Sequence, residues 1–227
     1  IVTGAGLLCM ILGAGTGSGM LWAAPQAAGA AAQDQTKSCY TLPEYNAYKD
    51  ADAEQNPQQK IVKLDSFVKA YPNSCMMPYI YRGYYLTKYA MKDFSGAIDY
   101  TDRQVALGDK IDNQGRLEAQ VAREQAYYVG SSTDKALHTP DAQTKAREAA
   151  VQGLKTLNDW KKPDPMAADQ YAQQVKGFKV LFNSIAAMTS TSLKDYPAAA
   201  GYYKEVLAID PSDAVSHFRL GVVYLQM

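Results

Sequence analysis

The side chains able to do acid, base, nucleophilic or metal chemistry are few, and their spacing does not suit it. Two histidines, His138 and His217, stand among 227 residues. A zinc site needs Cys or His ligands at short intervals, and a hydrolytic site needs a nucleophile within reach of a base. The chain has no His-Glu-x-x-His and no Gly-x-Ser-x-Gly. His138 lies in the turn-like Leu137-His-Thr-Pro140 and reads as a solvated loop residue. His217 reads as a core or rim side chain of a helix. Acidic residues are interleaved with basic ones, as in Arg116-Leu-Glu118 and Arg123-Glu124, which is the pattern of solvated helix surface. These residues predict no enzyme, no cofactor and no metal.

Cysteine chemistry is the next candidate. Of three cysteines, Cys9 follows Leu8, a residue too large for the usual lipobox. Cys39 and Cys75 have two readings. In an oxidising compartment they form a disulfide that closes a loop of about 36 residues and contributes on the order of 3–4 kcal/mol. The other reading is two buried free thiols.

Tyrosine supplies the third candidate chemistry, that of recognition. There are 17 Tyr against 5 Phe and 2 Trp. Tyr79, Tyr81, Tyr84, Tyr85 and Tyr89 fall close together, with Arg82 and Lys88 among them. A tyrosine buries a large ring yet keeps a polar tip, which suits contact surfaces. Tyr81, Arg82, Tyr84 and Lys88 are therefore the candidate partner-binding residues. Packing of these rings between helices is the competing reading, and the two can coexist.

Charge narrows the class of partner. Lys and Arg (23) balance Asp and Glu (23), so the net charge is zero. Nucleic-acid binders neutralise phosphates with a basic surface, and the balance argues against that class. No charged residue precedes Asp34. Residues 1–32 hold Ala, Gly and large aliphatic residues, and Ala30-Ala31-Ala32 fits the small-x-small pattern of signal-peptide cleavage. The segment predicts a signal peptide that has lost its basic start, and hence export to a periplasmic or extracellular space. A retained membrane anchor is the rival reading, although Gly13, Gly15, Gly17 and Gly19 make a poor spanning helix. Ile1-Val-Thr-Gly-Ala-Gly6 and Gly13-Ala-Gly-Thr-Gly-Ser-Gly19 superficially suggest dinucleotide and phosphate loops. Neither has the required spacing or the Lys-Ser/Thr.

The elements that must position these residues are helices. From Asp34 onward, apolar residues recur at helical spacing and no long stretch alternates in the strand manner. Thr41-Leu-Pro-Glu44 reads as a capping box. Ile61, Leu64, Phe67 and Val68 form one stripe, and the tyrosine cluster forms the next helix. Further helices are predicted after Asp93-Phe94, over 116–128 and over 141–160. One or two more cover 167–191, and the last two cover 196–209 and 213 to the end.

One segment repeats. Residues 195–211 place Ala199, Tyr203, Val206, Leu207 and Pro211 at intervals that are followed by His217, Leu220, Gly221 and Tyr224. This resembles the tetratricopeptide repeat (TPR), a helix-turn-helix unit of about 34 residues, with His217 in place of the usual Trp. The likeness is closest over the last 30 or so residues, while 61–107 carries weaker copies. Asp93-Phe94-Ser-Gly-Ala97 repeats the turn at Asp195-Tyr196. The resemblance, of an exported bacterial type, implies an all-α, right-handed α-solenoid of stacked helical hairpins over 33–227. It also implies a non-catalytic interaction or scaffolding module that binds protein or peptide partners along a groove of first helices. The last helix has no capping helix after it, which predicts a truncated array. Alternatives are an assembly factor at the outer membrane, by likeness of Phe67-Val-Lys-Ala-Tyr-Pro-Asn-Ser74, and an accessory helical domain of a larger enzyme.

Overall fold

Local capping chemistry sets where the helices begin. The computed structural model describes residues 39–227. The expected signal segment, Cys9 and both glycine-rich decoys lie outside the described residues. Among the described residues there are nine α-helices and no strand: α1 (Leu42–Ala53), α2 (Pro57–Ala70), α3 (Met77–Ala90), α4 (Phe94–Val105), α5 (Asn113–Gly130), α6 (Pro140–Asp159), α7 (Ala168–Ser192), α8 (Tyr196–Ile209) and α9 (Ala214–Tyr224). The chain is all-α there. Thr41 and Glu44 complete the capping box of α1: the Thr41 N–H donates to Glu44 at 2.6 Å and the Glu44 N–H to Thr41 Oγ1 at 3.4 Å. Asn56, Asp93, Asp112, Thr139, Asp195 and Asp213 each accept a backbone N–H of the first turn that follows. Such caps satisfy donors that the helix itself leaves open.

Each helix packs on the next in the chain, and α3 also touches α5, as α5 touches α7. Three cores follow one another along the sequence. The first joins α1, α2 and α3 around Leu64, Phe67, Ile80 and Tyr84. The second and largest runs through α3 to α7. The third joins α7, α8 and α9 around Ala187, Ala199, Tyr203 and Val223. The stretch 167–191, read from sequence as one helix or two, falls almost wholly in the single helix α7, and the second half of that helix is almost wholly buried. At Gly153 of α6 a Cβ would stand 2.5 Å from the Phe182 ring, so α6 and α7 approach closely only because that position is glycine.

Two turns are built alike. Before α4, Lys92 takes φ 61° and the Asp93 N–H donates to Lys88 O at 2.9 Å. Before α8, Lys194 takes φ 62° and the Asp195 N–H donates to Ser190 O at 2.8 Å. In each, a left-handed residue ends one helix with a bond back across it and the following Asp caps the next. The chain reverses sharply, so consecutive helices lie side by side.

Candidate functional site

The tyrosine-rich helix α3 presents two different faces. Tyr81, Tyr84 and Lys88 follow i, i+3, i+7 spacing, which places them on one side of the helix. That side meets α2 and α4. The Tyr84 hydroxyl donates to Asp65 Oδ1 at 2.5 Å, and its ring stacks on Tyr100 with centroids 4.0 Å apart and planes within 3°. Tyr84 is only 1% exposed. Burial and the Asp65 carboxylate both push its hydroxyl pKa well above the usual tyrosine value. Tyr81 is half-buried, 6.2 Å from Tyr100. Lys88 donates to Asp93 Oδ2 at 2.8 Å and so secures the turn into α4.

These contacts correct the expected site. Tyr84 is a core residue that a partner could not touch, because packing against α2 and α4 removes its ring from solvent. Lys88 is held by the turn, and Tyr81 flanks the same stack. Of the four expected residues, only Arg82 points to the other side, so α3 does not gather them into one surface.

The other side of α3 carries Tyr79, Arg82 and Leu86, again at i, i+3, i+7. Tyr79 is 43% exposed and Leu86 52% exposed. Arg82 lies between neighbours on both flanks. On α1, the Tyr48 ring is 6.0 Å from Tyr79, and its hydroxyl is pushed up to about 12 by burial and by Asp52, with Arg82 opposing. On α5, burial raises the Glu118 carboxyl, while a hydrogen bond from Gln114 (3.1 Å) and the charge of Arg82 pull it down. Tyr85, buried beside Arg82, is pushed up to about 12 by burial with Arg82 again opposing. The result is a surface drawn from α1, α3 and α5: two tyrosine rings, a leucine, a guanidinium and a carboxylate. Rings with polar tips around a cation suit recognition of another polypeptide. Tyr79 was in view in the sequence. The spacing from Tyr79 through Arg82 to Leu86 was the cue that it belongs with Arg82 rather than with Tyr81.

Cys39 and Cys75 are joined as a disulfide, with Cα atoms 6.0 Å apart. His138 and His217 are both exposed, and each places Nε2 near a backbone carbonyl, Ser131 O at 2.5 Å and Pro211 O at 2.9 Å. His217 is therefore on the rim, not in the core. A depression of about 450 Å³ lies between α6 and α8, lined by Arg147, Val151, Lys155 and Tyr202 among others. Its guanidinium is already engaged, since Arg147 donates to Asp195 Oδ2 at 3.0 Å.

Arg123 and Glu124, expected on a solvated surface, are instead interior. Arg123 bridges Asp102 of α4 and its own neighbour Glu124, because the inner face of α5 is covered on several sides by the second core. Among the described residues, no three His, Cys, Asp or Glu converge as metal ligands, and no helix is long and apolar enough to cross a membrane. No protein-family model matches the chain, and no curated protein matches it significantly.

Proposed function

We propose that this chain is a non-catalytic interaction or scaffolding module, exported to a periplasmic or extracellular space, that binds protein or peptide partners through α1, α3 and α5. The single observation that carries the reading is the row of exposed Tyr79, half-buried Arg82 and exposed Leu86 on one side of α3, flanked by Tyr48 and Glu118. Large side chains left open beside a polar rim are what a contact surface requires.

A right-handed solenoid of the TPR type is the architecture this function would use. Two features support it. The helices at alternate positions, α3, α5 and α7, touch in series. The matched turns at Asp93 and Asp195 open α4 and α8, two helical hairpins apart, so the same turn recurs at the same place in a hairpin. In that architecture the odd-numbered helices line one side, which is where Tyr48, Tyr79, Arg82 and Glu118 stand. The Cys39–Cys75 disulfide supports export, since such bonds persist outside the reducing cytosol.

The test is quantitative capture of partners by the purified protein from an envelope fraction. Wild type is compared with Tyr79→Ala/Arg82→Glu and with a control, Lys155→Ala, in the α6–α8 depression. Loss of a captured partner by about tenfold or more in the double variant alone supports the surface. Equal capture by a folded double variant rejects it.

A further inference from the structure

We infer that the Cys39–Cys75 disulfide is a redox-sensitive clamp on α1, which makes the α1 part of the surface conditional on oxidation. Little else holds this helix. Among the described residues α1 fully buries one side chain, Ala51, whereas α3 buries five. Tyr45, Ala47 and Tyr48 pack only partly against the first core. Its polar ties to α2 come from two lysines: Lys63 pairs with Asp50 and Glu54, each at 3.0 Å, and Lys60 donates to Asp52 O at 2.8 Å. All are at the solvent edge, where such pairs contribute little. A twelve-residue helix does not sustain itself in water without tertiary support.

The disulfide supplies that support from outside the helix. Cys39 sits three residues before α1, and Cys75 lies in the connection between α2 and α3. The bond therefore pins the start of α1 to the far end of the hairpin on which it rests. The later helices α4 to α8 have their own buried faces in the second and third cores, away from the bond. Reduction by a dithiol transfers two electrons and two protons to the Cys39 and Cys75 sulfurs. The dithiol closes to its own disulfide, and two free thiols remain on the protein. Then α1 opens locally, in the way low-stability elements open without global unfolding. Tyr48 leaves Tyr79, and the three-helix surface loses one wall. This last consequence rests on the proposed partner surface, whereas the opening of α1 does not.

Hydrogen exchange on the full chain separates the two. Oxidised protein is compared with the same protein in dithiothreitol and with Cys39→Ser/Cys75→Ser. The expected result is amide exchange faster by about tenfold or more across 42–53 in the reduced protein and in the variant, with 113–209 protected as before. Unchanged exchange across 42–53 overturns the clamp. Faster exchange across 113–209 as well overturns it too, since the bond would then support the whole fold. Neither readout involves a partner, so failure of the proposed surface leaves this result standing.

Discussion

Arg123 and Glu124 are adjacent in sequence and bonded in the interior: Arg123 Nη1 donates to Glu124 Oε1 at 2.9 Å, and Arg123 Nε donates to Asp102 Oδ1 at 2.6 Å. Glu124 is 0% exposed, and its Oε2 meets no donor. Burial pushes its carboxyl up to about 7, while Arg123 pulls the other way and Asp102 adds to the rise. A proton on Oε2 removes the charge that burial penalises. The folded value lies above the ordinary 4.5, so the associated stability is fully present below about pH 4.5 and is lost as the pH rises through about 7. Glu124→Gln removes the titration and keeps an acceptor for Arg123. Melting curves at pH 5.5 and pH 8 should then show a smaller loss of stability in the variant than in wild type, the difference being on the order of 2 kcal/mol. Parallel pH dependences in the two proteins would count against a proton on Glu124.

The two turn lysines offer a second test. Lys92 and Lys194 hold φ of 61° and 62°, the left-handed region in which a Cβ is costly and glycine is not. Lys92→Gly and Lys194→Gly should each stabilise the protein by about 1 kcal/mol, read as a raised Tm. The effects should add, because the turns lie in different parts of the fold. A lowered Tm at either position would mean that the lysine side chain does more than the backbone geometry indicates.

Much of this architecture was readable from local sequence. Capping residues such as Thr41, Asp93 and Asp195 act within one turn, so helix starts could be found without knowing what packs on them. Faces could not be assigned in the same way. Tyrosines at 79, 81, 84, 85 and 89 point to several sides of α3, and periodicity cannot say which ring is inside when the same residue type faces several ways. Only the partners decide: Asp65 and Tyr100 fix Tyr84 inward, and Tyr48 sits beside the outward Tyr79. Arg123-Glu124 was hidden for another reason. Adjacent opposite charges are the commonest surface pattern, and here the helix is covered on that side as well.

Glycines in two long helices should respond in opposite ways to the same substitution. Gly153→Ala puts a methyl into the Phe182 ring, 2.5 Å away, and Phe182 is itself fully enclosed. The overpacking, about 1–3 kcal/mol, outweighs the gain in helix propensity. Gly177 in α7 has nothing within 4 Å of the added carbon, so Gly177→Ala should gain about 1 kcal/mol. Denaturant midpoints measured side by side would show this, and a stabilising Gly153→Ala would mean that α6 and α7 can separate freely.

Tyr84 and Tyr79 provide the sharpest contrast, because one helix and one residue type give opposite expectations. Tyr84 fills the gap between α2 and α4, donates to Asp65 at 2.5 Å and stacks on Tyr100. Tyr84→Phe keeps the ring and deletes the hydroxyl, leaving Asp65 without that donor, and should cost about 1–2 kcal/mol. Tyr84→Ala also empties the ring site and should cost about 3–5 kcal/mol. Tyr79 is open to solvent on one side and touches Tyr48 at 6.0 Å, so Tyr79→Ala should change stability by less than about 1 kcal/mol. Urea unfolding of the three variants ranks them directly. If Tyr79→Ala were as damaging as Tyr84→Ala, the outward row of α3 would be part of the core, and its exposed rings could not be reserved for a partner.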